Sequence, residues 1–153
     1  MHPNADLLRR YFNAFAACDG ATMAACYAPD AHFDDELFAL DGARVGSMWQ
    51  MLTSSARDFS LSFSGLAADA STGQARWEAR YRFSRTGRAV INRVDSTFIF
   101  RDGLILRQRD TYDFWRWSRQ ALGASGLLLG WSGFLRAKVR AQAAAGLERF
   151  LQR

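Results

Sequence analysis

Between Thr86 and Trp117 the chain reads TGRAVINRVDSTFIFRDGLILRQRDTYDFWRW, and three polar side chains there interrupt what is otherwise a buried pattern. Asn92 breaks the alternation Val90-Asn92-Val94, and Gln108 and Asp110 stand two residues apart on the following arm. Residues two apart on a strand share a face. Desolvating a carboxylate or an amide is costly unless a partner or a function justifies it. A carboxylate in such a place is suited to proton transfer. A second acidic group, Asp34-Asp35-Glu36, lies far upstream. If an acid of that run and Asp110 share one cavity, their like charges push one pKa upward and couple their titrations, leaving an acid beside a base at neutral pH. Trp77, Tyr81, Gln108 and Tyr112 would line that cavity. Its aromatic, largely apolar walls with few polar anchors suit a flat hydrophobic ligand of polyketide, steroid-like or terpenoid type.

The elements that must hold these residues follow from periodicity. Arg101-Asp102-Gly103 predicts a tight reversal between two long strands, because Asp and Gly tolerate positive φ. Upstream, Asn4 is positioned to cap a first helix carrying Leu7, Leu8, Tyr11, Phe12 and Phe15 at helical spacing, which ends near Cys18-Asp19-Gly20. A short helix from Ala21 to Tyr27 stops at Pro29, and a short strand runs from Ala31 to Asp35. A third helix spans about Asp41 to Arg57, and then the period changes to two. Phe59, Leu61 and Phe63 alternate with serines, and after a turn at Ser71-Thr72-Gly73 the residues Trp77, Ala79, Tyr81 and Phe83 alternate with charged ones. Asp113 is placed to cap a helix starting near Phe114. Gly123, Gly126 and Gly130 interrupt the sequence that follows, and Leu128, Trp131, Leu135, Val139, Ala143, Leu147 and Phe150 make a helical stripe. Helices segregated on one face of a curved antiparallel sheet give an α+β class.

Composition narrows the function classes. A chain of 153 residues with 14% aromatics is one folded domain by size and cannot be a disordered segment. The net charge of +5 is carried almost wholly by arginines scattered among acids, so no nucleic-acid partner is expected. Cys18 and Cys26 do not make a disulfide framework, and His2 and His32 stand outside any Cys/His cluster, so neither metal nor other cofactor is expected. No signal peptide and no apolar run approaching the ~20 residues of a membrane span is visible, which points to a cytoplasmic protein.

The order of these pieces resembles the nuclear transport factor two-like superfamily, which includes SnoaL-like cyclases, ketosteroid isomerases and limonene epoxide hydrolases. LRRYFNAFAACDGATMAACYAPDAHFDDE looks like the family's opening, FALDGARVGSMWQML like its Gly-led helix, TGR like the preceding strand turn, and TFIFRDGLILRQRDTYDFWRW like its final hairpin. The resemblance implies a cone-shaped sheet wrapped around N-terminal helices, a cystatin-like arrangement. That domain would occupy residues 1–117, with residues 118–153 a helical extension packed on it or on a dimer partner. By likeness to ketosteroid isomerases, Tyr11 and Asn92 would donate to a substrate oxygen and Asp35 would move the proton. An amide at position 92 donates at any pH, where the family's aspartic acid must first be kept protonated. By likeness to limonene epoxide hydrolases, Asp110 would be catalytic. The companion Arg and Asp of that arrangement fall near Trp77 and Ala79, and Arg93-Val94-Asp95 lies one strand too late.

Two readings stand for several of these residues. Tyr11 is a pocket donor or a core tyrosine with its hydroxyl satisfied, and Asp35 is a base or part of a solvated acidic turn. The expected function is an isomerase- or cyclase-type enzyme, working as a homodimer on a small hydrophobic carbonyl compound by acid–base chemistry. A non-catalytic binding or oligomerisation module and an epoxide hydrolase are the alternatives.

Overall fold

The computed structural model describes residues 2–129 and 132–153. In chain order the elements are α1 (Pro3–Ala16), α2 (Gly20–Ala25), β1 (Tyr27–Asp34), β2 (Ala39–Asp41), α3 (Ala43–Ser55), β3 (Arg57–Ala68) and β4 (Thr72–Arg82). They continue with β5 (Ala89–Arg101), β6 (Leu104–Thr111), α4 (Phe114–Leu122), α5 (Ala124–Leu129) and α6 (Gly133–Leu151). The strands form one open mixed sheet in the order β2-β1-β6-β5-β4-β3. All neighbours are antiparallel except β1 and β6, which run parallel. Asp102 and Gly103 take φ of 54° and 75°, the pair of left-handed conformations a two-residue hairpin requires. Register shifts in β3 and β5 let the sheet curve around α1. There Phe12 stacks on Phe63 at 5.3 Å and Phe15 on Phe59 at 5.4 Å between ring centroids.

Several local expectations are replaced by other devices. His2, not Asn4, caps α1, its Nδ1 accepting from the Asn4 N–H at 3.0 Å, with Pro3 at the first helical position. Asn4 is buried and donates its amide to the carbonyls of Asp69 (3.0 Å) and Ala70 (3.3 Å), tying the start of the chain to the β3–β4 turn. Cys18 takes the left-handed conformation at the end of α1, with φ 55°. Gly20 instead opens α2, where a Cβ would stand 2.5 Å from Thr53 Oγ1, so glycine is needed for close approach to α3. β1 starts four residues earlier than the Ala31 expected, at Tyr27, and runs through Pro29. The missing N–H of Pro29 is accommodated where the β1–β6 register breaks, between Tyr27 and His32. The three-residue β2 has no counterpart in the sequence reading.

Gly126 does not interrupt a helix; it lies buried in α5, where a Cβ would meet the Ser118 carbonyl. From the predicted stripe, Leu135, Val139 and Leu147 are buried, while Leu128 is 67% exposed on a separate helix. Gly130 and Trp131 lie outside the described residues. Leu147 enters the main core with Leu8, Phe12 and Phe33, and Leu135 and Val139 join a second cluster with Val90, Phe114 and Trp117.

Candidate active site

Asp35 sits just past the end of β1 in a tight turn. Its N–H donates to the Phe38 carbonyl at 2.9 Å, and its Oδ1 accepts from the N–H groups of Leu37 (2.7 Å) and Phe38 (2.8 Å). Those bonds aim the carboxyl inward rather than into solvent. Burial pushes its pKa up to about 6 against the pull of the two N–H donors; the Glu36 charge adds to the rise and the Arg140 cation opposes it. The side chain is half-buried, reached from one side.

Asp110 comes from β6 and is 3% exposed. Its Oδ1 accepts from Ser96 Oγ at 2.5 Å and from Gln108 Nε2 at 3.0 Å, and Trp77 Nε1 donates to Ser96 at 2.8 Å. Burial raises its pKa to about 7; the Ser96 and Gln108 donors pull it down, and the charges of Asp35 and Asp34 push it up. Both Asp110 bonds fall on Oδ1.

Behind Asp110 the network continues into the core. Gln108 Nε2 also donates to the Tyr11 oxygen at 3.2 Å, Tyr27 donates to Gln108 Oε1 at 2.5 Å, and Trp49 Nε1 donates to the Tyr27 oxygen at 2.7 Å. The Tyr27 proton is thereby used. The 3.2 Å contact between the two tyrosine oxygens is then a bond donated by Tyr11. Every proton has a place, as buried polar groups require. Burial holds the Tyr11 hydroxyl well above its ordinary pKa.

A cavity of about 180 Å³ opens between the concave sheet face, α3 and α4. Asp35, Asp110 and Asn92 line it together with the aromatic side chains of Trp77, Tyr81 and Tyr112. Tyr11 and Gln108 do not reach it. Tyr11 is the core tyrosine of its two readings, with its hydroxyl satisfied, and Gln108 is a buried linker between Tyr11 and Asp110. The Asn92 amide is half-buried and makes no side-chain hydrogen bond among the described residues, so it is available to a guest. Tyr81 accepts from Trp117 Nε1 at 2.9 Å and has its pKa pushed up to about 12, by burial foremost and by the Asp35 charge. Tyr112 is pushed well above its usual value for the same two reasons, in that order. Both hydroxyls are therefore donors at neutral pH.

Asp113 supports the site from outside, capping α4 by accepting from the Arg116 N–H at 3.0 Å and so turning Trp117 back over the cavity. Arg93 and Asp95 point away from it and pair with Glu78 (3.7 Å) and Arg76 (3.5 Å). Arg82 is the one arginine among the lining residues described, and its Nε is held by Asp58 at 2.8 Å. The Arg-Asp-Asp set of an epoxide hydrolase is not assembled. A wider depression of about 770 Å³ lies on the outer sheet face, where Asp34 is engaged by His32 at 3.3 Å and by Arg109 at 3.5 Å. Among the described residues no group of three or more His, Cys, Asp or Glu could hold a metal.

Ser96, Tyr27 and Trp49 were not anticipated as parts of the site. Ser96 carried a signal, since it continues the inward alternation Val90-Asn92-Val94. Tyr27 and Trp49 carried none beyond being aromatic.

The SnoaL-like domain model matches residues 8–108. Among solved structures, the fold is similar to a proposed polyketide cyclase from Xanthomonas campestris pv. campestris, at TM-score 0.64 and 20% identity over 77% of this chain and 96% of that one. It is similar to an LEH-like epoxide hydrolase from M. tuberculosis, at TM-score 0.66 and 18% identity over 83% and 96% of the two chains. A protein of ketosteroid isomerase-like fold from Catenulispora acidiphila, in complex with trimethylamine, matches at TM-score 0.67 and 9% identity over 79% and 94%. No curated protein matches the chain.

Proposed function

The chain belongs to the SnoaL-like domain family, and from that premise we propose that it is an isomerase- or cyclase-type enzyme acting on a small hydrophobic carbonyl compound. The observation that carries this reading is the pair Asp35 and Asp110 in one aromatic cavity, with pKa values pushed up to about 6 and about 7. Near neutral pH Asp35 is mostly carboxylate and Asp110 keeps its proton about half the time. A base and an acid then face the same guest.

In the proposed reaction Asp35 removes a proton from the carbon beside the substrate carbonyl. The charge that develops on the carbonyl oxygen is met by the free Asn92 amide and the Tyr112 hydroxyl, in place of Tyr11. In an isomerisation Asp35 returns the proton to a different carbon of the conjugated system. In a cyclisation the carbanion attacks a second carbonyl of the same molecule, and the new alkoxide takes the Asp110 proton. The cavity of about 180 Å³ is close to the ~150 Å³ that accommodates benzene, which favours a one-ring terpenoid or a short ketide over a four-ring steroid.

The test is conversion of a β,γ-unsaturated cyclic ketone to its conjugated isomer and of a short diketone to its aldol product, each followed by ultraviolet absorbance. Asp35→Asn is expected to lower turnover of both substrates by about 10²–10⁴-fold, and Asp110→Asn that of the aldol reaction, with the fold intact. Tight ligand binding that survives both substitutions, with no turnover in the wild type, would make the protein a binding module instead.

A further inference from the structure

The charge of this chain is concentrated at one end. Residues 114–153 hold seven arginines and lysines against the single acid Glu148, a net of +6, while the whole chain carries +5. The same segment holds most of the exposed large apolar side chains among the described residues, including Leu127 (53% exposed), Leu129 (44%) and Phe134 (75%). These three flank the short link between α5 and α6.

α6 is two-sided. Leu135, Val139 and Leu147 are buried against the domain. Phe134, Lys138, Ala141, Ala145 and Arg149 recur at helical spacing on the opposite side, and all are exposed. Lys138 and Arg149 have no acidic partner among the described residues. The outer side of α6 thus carries one exposed aromatic and two alanines among cations without an acidic partner, and Leu127 and Leu129 stand exposed on the preceding α5.

We infer that the α5–α6 end of the protein rests on an anionic lipid surface, with Phe134, Leu127 and Leu129 entering the headgroup boundary and Lys138 and Arg149 meeting lipid phosphates. Charge selects this occupant. A second copy using the same face would set Lys138 and Arg149 against like charges. A nucleic acid would meet the cations but leave the leucines and Phe134 nothing apolar to enter. No helix among the described residues is long and apolar enough to cross a membrane, so the contact is peripheral.

The test is co-sedimentation of the full chain with phosphatidylcholine vesicles, with and without phosphatidylglycerol. Binding is expected only with phosphatidylglycerol present, and it is expected to fall as salt is raised. A Phe134→Glu/Leu127→Glu variant and a Lys138→Glu/Arg149→Glu variant should each bind about tenfold more weakly with unchanged far-ultraviolet circular dichroism. Failure of the wild type to bind anionic vesicles at low salt overturns the inference, as does equal binding to neutral vesicles. Should the glutamate variants lose helix, the wild type decides, since binding indifferent to salt overturns it. A wild-type dimer that Phe134→Glu converts to monomer, with protein-free vesicle pellets, assigns the face to a second copy and overturns it as well.

Discussion

Asp110 is at once the proposed proton donor and a buried member of the core. Its pKa rises from the 3.8 of an ordinary aspartate to about 7, with burial the largest cause. The folded state therefore holds a proton that the unfolded chain releases above about pH 4. Stability is greatest below that point and falls as pH rises through about 7, by an amount on the order of a few kcal/mol. Asp110→Asn keeps the shape and removes the ionisation. Urea unfolding between pH 5 and 8 should show the wild type losing more stability across that range than the variant, which keeps only the smaller loss from Asp35, so parallel curves would mean that the Asp110 charge is not buried. The residue was legible in the sequence, because a carboxylate two positions from Gln108 on an inward alternation has few bland explanations. Depth along the strand was not legible. Alternation assigns a face, so Gln108 and Asp110 read alike, yet only Asp110 reaches the cavity while Gln108 ends in the tyrosine pair. Tyr11 kept two readings for the same reason: helical spacing turns it inward but does not say whether its hydroxyl stops short of the pocket.

At the scale of elements, the Asp35 turn is held by α6, which stands outside the span matched by the family model. Arg136 pairs with Glu36 at 3.4 Å and lies 5.1 Å over the Phe114 ring, and Leu37 packs against the cluster that contains Leu135 and Val139. Arg140 adds a charge that holds the Asp35 carboxyl down, against burial and Glu36, while the Leu37 and Phe38 N–H groups hold it from its own turn. Arg140→Gln removes one of the restraining influences, so the Asp35 pKa rises further. The proposed activity needs Asp35 ionised, and its rise with pH should move to higher pH in the variant with turnover at the plateau little changed. An acidic limb that stays in place would detach Arg140 from the base. The Asp102-Gly103 hairpin and the Asp113 cap could be read locally, since turn and cap chemistry lie within a few residues. The contact of α6 with the Asp35 turn joins residues about a hundred apart, and only the packing of the whole chain brings them together.

The whole molecule is closed by its ends. Asn4 is bonded to the β3–β4 turn, and Leu147, six residues from the last one, is 1% exposed inside the same core as Leu8 and Phe12. Arg44 on α3 pairs with Glu148 beside it, an exposed ion pair that adds little compared with the leucine. If α6 were an appendage, deleting its buried side chains would leave the stability of the α+β body unchanged. If it is part of one cooperative unit, Leu147→Ala leaves a cavity in the central core and lowers the unfolding free energy by about 2–5 kcal/mol. Leu127→Ala, which trims an exposed side chain on α5, should stay within about 0.5 kcal/mol. Urea titrations followed by tryptophan fluorescence and by far-ultraviolet circular dichroism should coincide in both variants, with the midpoint shifted only for Leu147→Ala. Separate transitions for the two probes, or an unmoved midpoint in Leu147→Ala, would mean that α6 folds on the domain without sharing its core. The arginines it presents to the Asp35 turn would then be too loosely held to tune a base.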